Sequence, residues 1–151
     1  MKNIFDKAIT DEFIARIEKL DSQTTPTWGK MNVGQMLAHC NVTYALIYDE
    51  NQSPKATGFK KFLLKALIKP IVLGEKPYKK NSRTAPDFLI TDEKEFNAEK
   101  TRLIHYMNKT QELGASHFDG KESHSFGALN TNEWNNMFVK HLDHHLTQFG
   151  V

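Results

Sequence analysis

One residue in 151 is a cysteine, Cys40, so no internal disulfide can staple the chain and the fold has to rest on a buried core. Long apolar runs are missing at the N-terminus, where Lys2, Asp6, Lys7, Asp11 and Glu12 interrupt any stretch that would make a signal peptide or a membrane span. The expectation is a cytoplasmic protein without stable membrane insertion. An excess of one charge is also missing. Twenty basic residues stand against eighteen acidic ones, and a net charge of +2 gives no composition-level reason to bind nucleic acid. There is no internal repeat and no glycine-rich phosphate loop. A length of 151 residues suits one domain spanning 1–151.

Histidine is what the chain does have, and three of its seven fall in the last eleven residues. Advancing about 100° per residue, His141 and His145 lie one turn apart on one helix face, a spacing that lets two imidazoles reach a single ion. Their helix is expected to start at Asn130, whose side chain forms a capping box with Glu133. Trp134, Met137, Phe138, His141, His145 and Phe149 then form one stripe, so both imidazoles point inward among apolar neighbours, where a polar ring needs a partner. A zinc-protease motif is absent, because Leu142 stands where that chemistry needs a glutamate.

The remaining helices follow from the same periodicity. Residues 3–20 read as a first helix, with Thr10 marking a break or a fresh cap. A connection over 21–30 carries Trp28, a ring that covers core or walls a pocket. A second helix runs over 32–48, with Asn32 and Gln35 as its capping box and Val33, Met36, Leu37, Cys40, Tyr44 and Ile47 on one face. His39 sits at the edge of that face and by itself reads as a hydrogen-bonded residue at the core margin. Cys40 points elsewhere and reads as buried filler. The stretch 51–91, broken by Pro54, Pro70, Pro77 and Pro86, holds a short amphipathic helix over 59–69, read as a basic solvated face over an apolar side packed inward, the alternative being a basic amphipathic helix that lies on an anionic membrane. Thr91 is expected to cap a third long helix that Gly114 ends. A loop over 114–129 carries His117 and His124, with His124 a candidate pocket group.

Four long amphipathic helices make an all-α bundle the economical architecture. The string His141-x-x-His144-His145-x-x-Gln148, with Met36-Leu37-Ala38-His39, Ser125-Phe126-Gly127 and Glu133-Trp134, resembles the DinB-like superfamily of metalloenzyme-like proteins over most of the chain. That resemblance implies a four-helix bundle in up-down-down-up order, with a long crossover and a short extra helix. It also implies a metal site of His39, His141 and His145, with His144 matching an extra histidine that is not normally a ligand. Three neutral imidazoles leave a position for water or substrate and suit Zn, Ni or Fe among divalent transition metals. Gln148, His144 and, less well placed, Asp143 are candidate partners for the ligands' second nitrogens. Trp28 and the Ser123–Gly127 loop with His124 are expected at the mouth of the site. Some members of the superfamily are transferases that use low-molecular-weight thiols. The chain is therefore expected to be a metal-dependent transferase or hydrolase acting on a small molecule, a thiol among the candidates, with homodimerisation allowed. The alternative is a non-catalytic, stress-related bundle that binds metal or another ligand.

Overall fold

The computed structural model describes residues 2–49 and 57–151. It is mostly helical, with one small two-stranded sheet. The long helices are α1 (Lys7–Glu18), α2 (Val33–Tyr48), α5 (Phe96–Phe118) and α6 (Thr131–Gln148). Between α2 and α5 lie α3 (Gly58–Leu63), a π-helical stretch (Leu64–Ile68), α4 (Lys69–Leu73) and a 3₁₀ turn at Pro86–Phe88.

The two expected capping boxes are present. Asn32 accepts from the Gln35 backbone N–H and Asn130 from that of Glu133, while each partner's side chain returns to the capping residue's own N–H. Other boundaries move. α1 begins at Lys7 rather than residue 3, because Ile4 is fully buried and donates its N–H to the side chain of Asn135 instead of joining a helical ladder. Thr10 neither breaks nor caps the helix; its hydroxyl donates to the Ile4 carbonyl from within it. α5 is capped by Glu95, not Thr91. The residues between are engaged with α2: Asn32 donates to Glu93 and Gln35 to the Asp92 carbonyl. Gly114, with φ of 73°, breaks α5 as expected, but a further turn follows it to Phe118. The loop beyond contains a hairpin in which β1 (Glu122–Ser123) pairs antiparallel with β2 (Gly127–Ala128).

Side-chain links fix how the long helices run. Asn41 bonds Glu99 and Tyr48 bonds Thr110, so α2 and α5 are parallel. Ile4 meets Asn135 and Arg16 meets Asp143, so α1 and α6 are parallel too. Thr43 against His141 and Tyr44 against Phe138 set α2 antiparallel to α6. A parallel neighbour cannot be reached by a short turn, which explains why the chain spends the whole stretch from α2 to α5 on a crossover. The core these helices share is aromatic and aliphatic: Phe13, Tyr44, Phe118, Trp134 and Phe138 are its largest fully buried side chains.

The approach to α5 packs so closely on the first turn of α2 that a Cβ at Gly34 would come within 2.6 Å of the Lys94 carbonyl oxygen. Alanine would gain ~1 kcal/mol in helix propensity. The clash opposes it with ~1–3 kcal/mol of overpacking. Gly34→Ala is therefore expected to lower the urea midpoint, and an unchanged or raised midpoint would contradict the close approach.

Candidate metal centre

α2 and α6 cross with His39 facing His141 and His145. Imidazole rings of the three lie 4.5–4.9 Å apart, centroid to centroid. One ring nitrogen from each falls within 4.8 Å of the others, and the Nε2 atoms of His39 and His141 are 2.9 Å apart. Two nitrogens each ~2.0–2.1 Å from a shared ion can stand as close as the His39 and His141 pair, and the group of three could hold a metal ion. His39 and His145 are buried and His141 is half-buried.

The outward nitrogens decide which nitrogens are free. His39 Nδ1 lies 2.8 Å from the Phe88 carbonyl oxygen, which only accepts, so Nδ1 carries the proton and Nε2 keeps its lone pair. His145 Nδ1 is 2.8 Å from Gln148 Oε1, whose own amide donates to the Trp28 carbonyl, and the same logic leaves His145 Nε2 free. His141 Nδ1 is 3.0 Å from the Thr43 hydroxyl, which can donate or accept. Without an ion, His141 donates from Nε2 to His39 and Thr43 donates to His141. With an ion, Nδ1 would carry the proton and Thr43 would accept it. Thr43 is thus the outer partner that changes from donor to acceptor between the two states.

All three rings are held neutral. Burial lowers each pKa, and at His141 the neighbouring imidazoles add to it; His145 falls to about 3. The Phe88 and Gln148 oxygens oppose the shift at His39 and His145 without reversing it. Neutral imidazole is the form that ligates a cation.

Of the other expected site residues, Gln148 takes the outer role named above. Trp28 adjoins it: besides the carbonyl contact, Thr27 bonds the Gln148 carbonyl, and Gly29 packs so tightly that a Cβ there would meet Gln148 Nε2 at 2.5 Å. His144 is not one of the converging three: its ring stands edge-on to that of His145 at 5.0 Å and edge-on to Trp28 and Tyr78, in a cleft of about 250 Å³ that Lys80, Lys140 and Asp143 also line. Asp143 pairs with Arg16 and serves no ligand. The hairpin with His124 lies at the other end of α6, near Lys65 and beside the Thr131 and Glu133 turn, ~15 Å along the helix from His141, so the structure does not bring it to the site.

Sequence reasoning did not find Thr43 or Phe88. Thr43 had a signal, standing one turn after His39 on the same face. Phe88 had none, because it reaches the site through an irregular crossover and contributes a backbone carbonyl; its ring covers His39 and His141 at 5.7 and 6.1 Å.

A family model matches nearly the whole chain. The chain belongs to the DUF1569 family. That family's model, described as a protein of unknown function, matches residues 5–150. No curated protein and no solved structure matches the DUF1569 chain.

The neutral rings have a thermodynamic consequence. Between about pH 6.5 and pH 3 the unfolded chain binds a proton at His145 that the folded chain refuses. Stability is therefore complete above the upper value and is lost as pH falls through the window. Chelator-treated protein should show a melting temperature that drops already between ~pH 6.5 and ~pH 5, above the carboxylate range. His145→Gln should flatten that slope, and a slope identical in both proteins would contradict the assignment.

Proposed function

We propose that this chain is a metal-dependent enzyme of the DinB-like kind, a four-helix bundle in up-down-down-up order that acts on a small molecule either by transfer involving a low-molecular-weight thiol or by hydrolysis. One observation carries the reading: three neutral imidazoles converge, and each outward nitrogen has its own oxygen partner, which is how ligands are oriented in metal sites. His39, His141 and His145 would hold a divalent ion, with Zn, Ni and Fe all suited to three nitrogens. When bound, the ion supplies Lewis acidity that activates a thiol or water as a nucleophile. Phe88, Thr43 and Gln148 orient the rings through their outward nitrogens, and the Phe88 ring covers His39 and His141.

A second reading, a non-catalytic metal-binding bundle, draws on one observation. The Phe88 ring stands over two of the three imidazoles and narrows the approach for a substrate.

Protein purified without a nickel column should contain about one equivalent of a divalent transition metal per chain. His145→Ala should abolish that content with little loss of helicity, since the core is built from aromatic and aliphatic side chains, and melting should fall by the linkage contribution of the lost ion. His144→Ala should keep the metal, because its ring faces the Trp28 cleft. Equal loss in both variants would overturn the assignment. Chelator-sensitive consumption of a thiol with a chromogenic electrophile separates the catalytic from the non-catalytic reading.

A further inference from the structure

The segment from α3 through α4 is packed with its apolar residues on the wrong side. An ordinary surface helix turns its apolar face inward. Here Phe62, Leu67 and Ile71 are 64%, 61% and 62% exposed, with Leu63 and Ile68 beside them, whereas the inward contacts come from Leu64, Val72 and the buried Leu73. The orientation is firmly set. Lys140 donates its ammonium to the Ile71, Val72 and Gly74 carbonyls, Asn136 donates to the Leu73 carbonyl, and Lys69 pairs with Glu133. The inward-packed apolar face expected for 59–69 is thus corrected for the residues whose side chains are described: α6 holds the segment by its polar groups and backbone, and leaves its large apolar residues outside.

Charge is concentrated on the same stretch. Residues 57–83 hold eight basic residues and one acidic residue, Glu75, a local net charge of +7, so the rest of the chain carries −5 of the total +2. The combination of outward aliphatic and aromatic groups with surrounding lysines matches an interface that is apolar a few ångströms below an anionic surface.

We infer that the outer face of α3 through α4 docks in the plane of an anionic phospholipid bilayer. Phe62, Leu67 and Ile71 enter the acyl boundary while the exposed Lys76, Lys79 and Arg83 meet lipid phosphates. The segment does not cross the bilayer, since among the described residues no helix is long and apolar enough to do so. A second copy of this chain fits the face less well, because a self-complementary contact would press two +7 segments together. Nucleic acid would satisfy the lysines but leave the three large apolar side chains in water. The inference stands on observations separate from the histidine site.

The 151-residue protein is mixed at low salt with extruded vesicles of phosphatidylcholine alone and of equimolar phosphatidylglycerol and phosphatidylcholine, then sedimented. Binding is expected on the anionic vesicles only, weakened in ~0.5 M salt as exposed charges are screened. The triple variant Phe62→Ser, Leu67→Ser, Ile71→Ser should lower partitioning by roughly tenfold or more with unchanged circular dichroism, because the removed groups are solvent-facing. Should the triple variant fold poorly, Leu67→Ser alone is expected to weaken partitioning in the same direction. Lys76→Glu with Lys79→Glu should weaken it through charge. Absence of sedimentation at low salt, or equal partitioning on both vesicles, overturns the inference. So does a dimer in sedimentation equilibrium that the triple variant dissociates while lipid partitioning stays the same.

Discussion

Three imidazoles can share a desolvated seam only where most of their nitrogens have somewhere to put a proton or a lone pair. That requirement organises much of this molecule. Two inward nitrogens satisfy each other in the contact between His39 and His141, and the outward ones recruit a threonine from α2, a glutamine from the last turn of α6 and a backbone carbonyl from the crossover. The glutamine in turn fixes the Trp28 loop through its amide, and the crossover carbonyl brings the 3₁₀ turn over the histidines. Segments with no periodic reason to lie anywhere in particular are placed by hydrogen bonds that the imidazoles demand.

Parallel packing of α2 and α5 supplies the length of chain that makes this possible. Had the two been joined by a tight turn, α5 would run antiparallel to α2 and no irregular strand would pass over the His39 end. The crossover instead returns past α6, contributes Phe88 above the site and Tyr78 beside His144, and reaches α5 where Asp92 and Glu93 engage the first turn of α2. A topological need to cover distance and a chemical need to close a polar seam are met by the same residues.

The chain discloses its helices and its histidine pair more readily than its irregular parts, for a physical reason. Capping boxes at Asn32 and Asn130 act within three residues, and the stripe from Trp134 to Phe149 repeats at helical spacing, so both are written locally. His39 was legible as a partner only through resemblance, since one imidazole at a core margin carries no sign of what faces it. The Thr91 boundary failed because tertiary bonds from α2 overrode a local cap, and the 59–69 face failed because periodicity identifies an apolar side without saying whether it turns inward. His124 was misplaced by the assumption that a loop feeding a ligand helix lies near the ligands, whereas ~15 Å of helix separates the two ends.

Lys140 shows how the seam and the crossover are coupled. One residue before His141, it leaves α6 about 100° away from the imidazole. The residue is nearly buried, at 6% exposure, and burial lowers its pKa, yet among the described residues no carboxylate pairs with it; its hydrogen bonds go to carbonyls at the end of α4, and Tyr78 lies 4.6 Å beneath it. A buried cation is tolerated when its protons are matched by acceptors, and the final carbonyls of a helix are acceptors that otherwise lack partners. The crossover is thus tied to α6 at Gly74 by Lys140 and to α2 at Phe88 by His39, with the His144 cleft between the two ties. A displacement of α4 would strip the ammonium of its acceptors, and a displacement of the 3₁₀ turn would strip His39 of its own. The position of the outward apolar face is therefore set from α6 by Lys140, and the closure over the three imidazoles from α2 by His39.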